Sequence, residues 1–155
     1  MAGSKREKKI RQKANPKGQH IAQGGDPEQY YSQTPAWTFS NADTEKWAFS
    51  QDHLGDLIWT EILPKLRGLE TQKWSEILVG SKKQNHSLDL KDLNKAAQDR
   101  LVSKYIEAES LISLSLSGKQ RLYGYMTGRV FNILWYDEGH GDNDTCVCRS
   151  RLKHT

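Results

Sequence analysis

The sequence predicts an α+β fold, three helices packed on one face of a mostly antiparallel four-stranded sheet. Three observations carry that prediction. Residues 111–136 alternate apolar and polar side chains with period two, broken by two short Gly-containing turns. Residues 51–107 instead repeat their Leu, Ile and Trp at helical spacing. Residues 37–49 place Trp37, Phe39, Trp47 and Phe49 at odd positions, and Lys46-Trp47-Ala48-Phe49-Ser50 reads as a short strand. Helices grouped between one strand and a three-stranded meander make a two-layer sandwich.

The chain begins with a basic stretch. Residues 1–20 carry a net charge of +6 and residues 149–155 a net of +3, so the total of +4 leaves residues 21–148 at −5. The basic pI therefore describes the ends of the chain, which weakens an argument for nucleic-acid binding from pI alone. Lys, Arg, Gln, Gly and Pro dominate residues 1–35, a composition that predicts a disordered basic tail. A single domain follows over 36–140, and residues 141–155 read as a polar tail. No apolar run is long enough to cross a membrane, and no apolar segment follows the basic start. A cytoplasmic protein without a membrane partner is expected.

Ser50 or Asp52 can cap a first helix over about 51–68, whose Leu54, Leu57, Ile58, Ile62, Leu66 and Leu69 form an apolar stripe. Pro64 should kink or divide it, since it lacks an N–H and crowds the preceding turn. Thr71 can cap a short second helix over 71–79 with Trp74, Ile77 and Leu78 on one side. Residues 81–87 read as a polar loop containing His86. Asp89 is the expected cap of a third helix, 91–107, with Leu93, Ala97, Leu101 and Tyr105 in register.

In the meander, Thr127-Gly128 supplies a tight hairpin turn. Strict alternation places Ile112, Leu114, Leu116, Leu122, Gly124, Met126, Phe131, Ile133 and Trp135 under the helices. The other face would carry Ser113, Ser115, Ser117, Arg121, Tyr123, Tyr125, Asn132 and Tyr136, with Val130 and Leu134 among them. Such a face is either ordinarily solvated or, with an Arg and three Tyr, suited to stacking bases and pairing phosphate.

Signals for other chemistry are weak. The chain has no Gly-rich phosphate loop and no G-x-S-x-G or H-E-x-x-H motif. Cys146 and Cys148, with His140 and His154 nearby, match zinc spacing poorly, and ordinary thiols in a mobile tail are the better reading. No metal or cofactor is expected. His86 has the residue type for acid–base work but also for simple loop packing. Asp137 could orient His140 across a turn, although Asp is favoured in turns without any catalytic role.

The run LSLSGKQRLYGYMTGRVFNILWYDEGH resembles the C-terminal part of a family of small uncharacterised bacterial and phage proteins with the pattern GK-R-YGY…VF-LWYD--H. The upstream LPKLRGLETQKWSEI resembles that family's helical segment, so the similarity spans about residues 45–140. More distantly, the element order and the hairpin GKQRLYGYMTGRVF resemble the RelE/ParE toxin superfamily. That resemblance implies a RelE-like sandwich and an RNA-directed protein, an endoribonuclease toxin or phage-defence factor that needs no metal. It also implies RNA or the ribosome as target and an antitoxin or other protein as partner. By this likeness Lys119, Arg121, Arg129 and Tyr136 would act on the phosphate and the 2′-hydroxyl. Tyr123, Tyr125, Asn132 and His140 would bind the substrate. The acidic body and the C-terminal GDNDTCVCRSRLKHT depart from the superfamily's pattern. A non-catalytic module that binds protein or nucleic acid is the alternative expectation.

Overall fold

The period-two stretch forms three antiparallel strands, β5 (Ser110–Ser115), β6 (Arg121–Thr127) and β7 (Val130–Asp137). The structure is a computed structural model and describes residues 20–21, 28–81, 84–140 and 146–148. The expectations for residues 1–19 and for most of the C-terminal tail lie outside the described residues. Upstream come β1 (His20–Ile21), α1 (Glu28–Tyr31), β2 (Ala36–Thr38), α2 (Gln51–Leu54), α3 (Leu63–Leu69), β3 (His86–Asp89), α4 (Lys95–Ser103) and β4 (Ile106–Glu107). Short π-helical turns occupy Ile58–Ile62 and Glu76–Gly80.

The main sheet has five strands, not four, in the order β2-β7-β6-β5-β3. Its centre is antiparallel, while β2 runs parallel to β7. Two strand assignments change. The strand expected at Lys46–Ser50 is irregular chain, with Trp47 at φ 43°, and the strand that joins the sheet is Ala36–Thr38. His86 and Ser87, expected in the polar loop 81–87, instead open the edge strand β3, paired with β5. It reads as polar because an edge strand keeps half its side chains in water.

Helix boundaries follow local chemistry. The Ser50 hydroxyl accepts the His53 N–H at 3.3 Å and opens α2, which Gly55 ends at φ 53°. The predicted 51–68 helix divides at Gly55 and not at Pro64, where helical chain continues with a change from π-turn to α-helix. The Leu63 N–H reaches back to the Ile58 carbonyl as a π-turn, and α3 begins with the proline in its first turn. The expected 71–79 helix is shorter and ends as the π-turn at Glu76–Gly80; the Thr71 hydroxyl donates to the Gly68 carbonyl and caps nothing. The third helix spans Lys95–Ser103, not 91–107. Its cap is Asn94, which accepts the Ala96 N–H at 3.0 Å, while Asp89 makes no side-chain cap.

Both faces of the sheet are covered, which corrects the two-layer expectation. Leu54, Ile62, Leu66, Leu69, Trp74 and Ile77 bury Ile112, Leu114, Leu122, Phe131, Ile133 and Tyr136 on one face. On the other, Leu93, Ala97, Leu101, Ile106 and Val147 bury Leu111, Tyr123, Tyr125, Leu134 and Trp135. The result is an α+β fold in which helices flank a mixed sheet.

A β-bulge explains the face errors for Trp135 and Tyr136. Tyr123 faces Trp135 and Gly124 faces Ile133, so Leu134 is the extra residue on β7. Beyond it the alternation reverses: Trp135 joins Tyr123, and Tyr136 turns under the helices. The domain also exceeds 36–140. Tyr30 and Tyr31 pack on the first cluster, Trp74 donates its backbone N–H to Gln33, and Cys146, Val147 and Cys148 are buried.

Candidate functional site

The site lies at the end of the sheet where β5 turns into β6 and β7 leaves. Gly118 adopts φ 55° there, and Leu116 N–H to Gln120 O at 2.9 Å closes the loop around Lys119. Past β7, the chain curls back through Gly139, whose N–H donates to Asp137 Oδ1 at 3.0 Å. The curl delivers the His140 N–H to the Lys119 carbonyl at 3.0 Å and His140 Nδ1 to the Tyr123 hydroxyl at 3.0 Å.

Beneath His140 lies a buried polar cluster. Tyr123 is fully enclosed, with Ser113, Asp137, Cys146 and Cys148 around its hydroxyl. Burial, followed by the Cys148 and Asp137 charges, pushes that hydroxyl far above the ordinary tyrosine range. It is therefore a neutral partner for His140 and not a base. Asp137 accepts the Val147 N–H at 2.7 Å as well as that of Gly139; burial raises its carboxyl and these two bonds partly offset the rise. The expected Asp137–His140 pairing is replaced by Tyr123–His140.

Four of the eight predicted site residues gather here, namely Lys119, Arg121, Tyr123 and His140. Lys119 is exposed, while Arg121 lies opposite Asp137 and gives Nη1 to the Gly118 and Gln120 carbonyls at 2.6 and 2.8 Å. The other four do not join them: Arg129, Tyr125 and Asn132 lie toward the other end of the strands, and Tyr136 lies at this end on the opposite face. Arg129 sits at the β6–β7 turn, roughly 20 Å away along the strand, with Nη1 on the Thr34 carbonyl at 2.9 Å. Tyr125 is buried under α4 and accepts from Asn41 Nδ2 at 2.8 Å. Asn132 donates to the Tyr125 carbonyl and the Thr127 hydroxyl. Tyr136 is buried beside the His53 ring, and desolvation, followed by the Glu138 and Glu61 charges, pushes its hydroxyl up to about 12.

The solvated Tyr/Arg face expected from the sequence is thus a second core. Tyr and Trp alternate with small residues on either kind of buried face, so period two cannot tell cover by water from cover by a helix. The thiols expected in a mobile tail are buried, with sulfurs 3.2 Å apart. Only the adjacency of Cys146-Val147-Cys148, a compact apolar triplet in a polar segment, could have signalled that return. Among the described residues, no group of three or more His, Cys, Asp or Glu is placed to hold a metal, and His154 lies outside them. No helix there is long and apolar enough to cross a membrane. Comparison with protein-family models, curated proteins and solved structures finds no match to this chain.

Proposed function

We propose that this protein is an RNA-directed factor of RelE-like type that engages phosphate at the Lys119–His140 end of its sheet. One observation carries the reading: the backbone bond from His140 to Lys119 brings the loop of an exposed lysine against the segment of a half-buried histidine at one end of the sheet. Lys119 supplies charge for the phosphate, and His140 supplies a group able to exchange a proton with the 2′-hydroxyl. Neither Tyr123 nor Tyr136 serves as the base, since burial holds both phenols neutral. Glu138 and Glu61 bring opposing charge to the same end. Arg149, Arg151 and Lys153 follow Cys148 in the sequence and make that stretch basic. The three-stranded antiparallel meander is the part of the fold that supports the RelE-like reading.

A non-catalytic RNA-binding module is the second reading, and a specific observation favours it. The guanidinium groups of Arg121 and Arg129 are committed to backbone carbonyls at opposite ends of β6. Stabilising a phosphorane requires donors aimed at one point.

A labelled single-stranded RNA, offered at low salt with a chelator present, separates the readings. Binding with cleavage to 2′,3′-cyclic phosphate ends, lost in His140→Gln, supports the nuclease. Salt-sensitive binding without cleavage, weakened by Lys119→Ala, supports the module. Absence of RNA binding overturns both.

A further inference from the structure

We propose that Cys146 and Cys148 form a redox-sensitive pair whose oxidation loosens the segment they bracket from the sheet. That segment is a strap across the Tyr123 face. The Val147 N–H donates to Asp137 Oδ2 at 2.7 Å and its carbonyl accepts the Asn94 N–H at 2.8 Å. Cys148 bridges to Leu93, and the Val147 side chain enters the second core. The strap thus joins the end of β7 to the start of α4.

The two sulfurs are 3.2 Å apart, and the Cys146 thiol donates to the Cys148 carbonyl at 2.8 Å. A disulfide has its sulfurs about 2.05 Å apart, so the side chains already face each other and need approach by only about 1 Å. The oxidant is a small-molecule disulfide such as oxidised glutathione. One chain thiolate attacks it and releases the first glutathione thiol; the second chain thiolate displaces the other. One S–S bond forms and one breaks. The two chain thiols lose two electrons and two protons, and both glutathione sulfurs gain them. Buried thiols meet the oxidant in the fraction of molecules whose strap has opened.

Oxidation removes the thiol proton that serves the Cys148 carbonyl. It also draws the flanking residues into a small ring that resets the backbone at Val147, whose N–H and C=O hold two different elements. A crosslink between residues two apart restrains little of the unfolded chain, because loop-closure entropy grows with loop length. The bond therefore adds little stability to offset the contacts it breaks. This inference does not depend on the RNA reading.

The test uses the full chain, reduced and then exposed to excess oxidised glutathione. Intact mass and thiol trapping follow the chemistry, and amide exchange follows the strap. The expected product lacks two hydrogens and carries no glutathione. Its Val147 and Asn94 amides exchange roughly tenfold faster, as the loss of one or two hydrogen bonds implies, and a dithiol reductant restores protection. A lasting glutathione adduct, no reaction, or a disulfide with unchanged exchange overturns the proposal. Cys148→Ser and Cys146→Ser should each abolish the response to oxidant; an undiminished response in a folded variant overturns it as well.

Discussion

Arg100 and Asp43 form a two-point ion pair between α4 and the loop before α2, with Nε to Oδ2 at 2.7 Å and Nη2 to Oδ1 at 2.8 Å. The same carboxylate accepts Trp135 Nε1 at 3.0 Å and the backbone N–H groups of Glu45 and Lys46. One buried side chain thereby joins the helix, the loop and the last strand. Asp43→Ala leaves the Arg100 and Trp135 donors without their acceptor and should cost about 3 kcal/mol, measured by urea denaturation.

Acid should dissolve the same network. Burial alone raises the Asp43 carboxyl, but the bonds from Arg100, Glu45, Trp135 and Lys46 together hold it well below the usual carboxylate range. A depressed folded pKa gives stability that is complete above the unfolded value, near 4, and is lost as pH falls through the folded one. Stability should therefore decline below about pH 4–5. Asp43→Asn should flatten that part of the curve; an unaltered acid limb would remove Asp43 as its source.

How much of this was legible in the sequence depends on range. The meander and the Ser50 cap are written in neighbouring residues, and both stand; the break expected at Pro64 falls at Gly55 instead. Strands β2 and β3 are legible only through their partners: three residues at Ala36–Thr38 gain strand geometry from β7, and the polar His86–Asp89 from β5. The bulge at Leu134 needs the pairing of β6 with β7 to exist at all. Missing it exchanged the faces of Trp135 and Tyr136 and, with them, part of the inferred RNA surface. For the site, Lys119, Arg121, Tyr123 and His140 lie at one end of the sheet, but Tyr123, expected to bind the substrate, is buried.

Gly124 should tolerate no side chain. It lies on β6 beside the bulge, and a Cβ there would overlap the Asn132 carbonyl oxygen and come within 2.7 Å of Phe131 Cζ. Backbone on the central partner strand cannot move aside cheaply. Gly124→Ala should cost about 3 kcal/mol or abolish folding, read from thermal melts beside Gly68→Ala, which meets open space and carries no positive φ.

Tyr136→Phe separates a core role from a catalytic one. The Tyr136 hydroxyl is buried and has no hydrogen-bond partner among the described residues. Deleting it removes a desolvated group while keeping the ring against His53. Stability should hold or rise by about 1 kcal/mol, and RNA binding and any cleavage should persist. Loss of turnover at unchanged stability would restore the hydroxyl to the mechanism.

Asp137 should act on the pH dependence with the opposite sign to Asp43. Burial raises its folded carboxyl pKa, and the Val147 and Gly139 N–H groups only partly oppose that rise. An acid with a raised folded pKa binds its proton more tightly in the fold than in the unfolded chain. Between the two values the folded state holds more protons, so this group's contribution to stability falls as pH rises from about 4 through the folded value. The wild-type curve therefore sums a gain from Asp43 and a loss from Asp137 over neighbouring pH ranges. Asp137→Asn cannot ionise, so its stability should climb more steeply with pH than that of the wild type. Its absolute stability should be lower at neutral pH, because one of the two N–H groups on the carboxylate loses its oxygen. Parallel denaturation curves at several pH values decide the matter. If the two slopes coincide, Asp137 ionises alike in both states, and its burial under the strap has no electrostatic consequence.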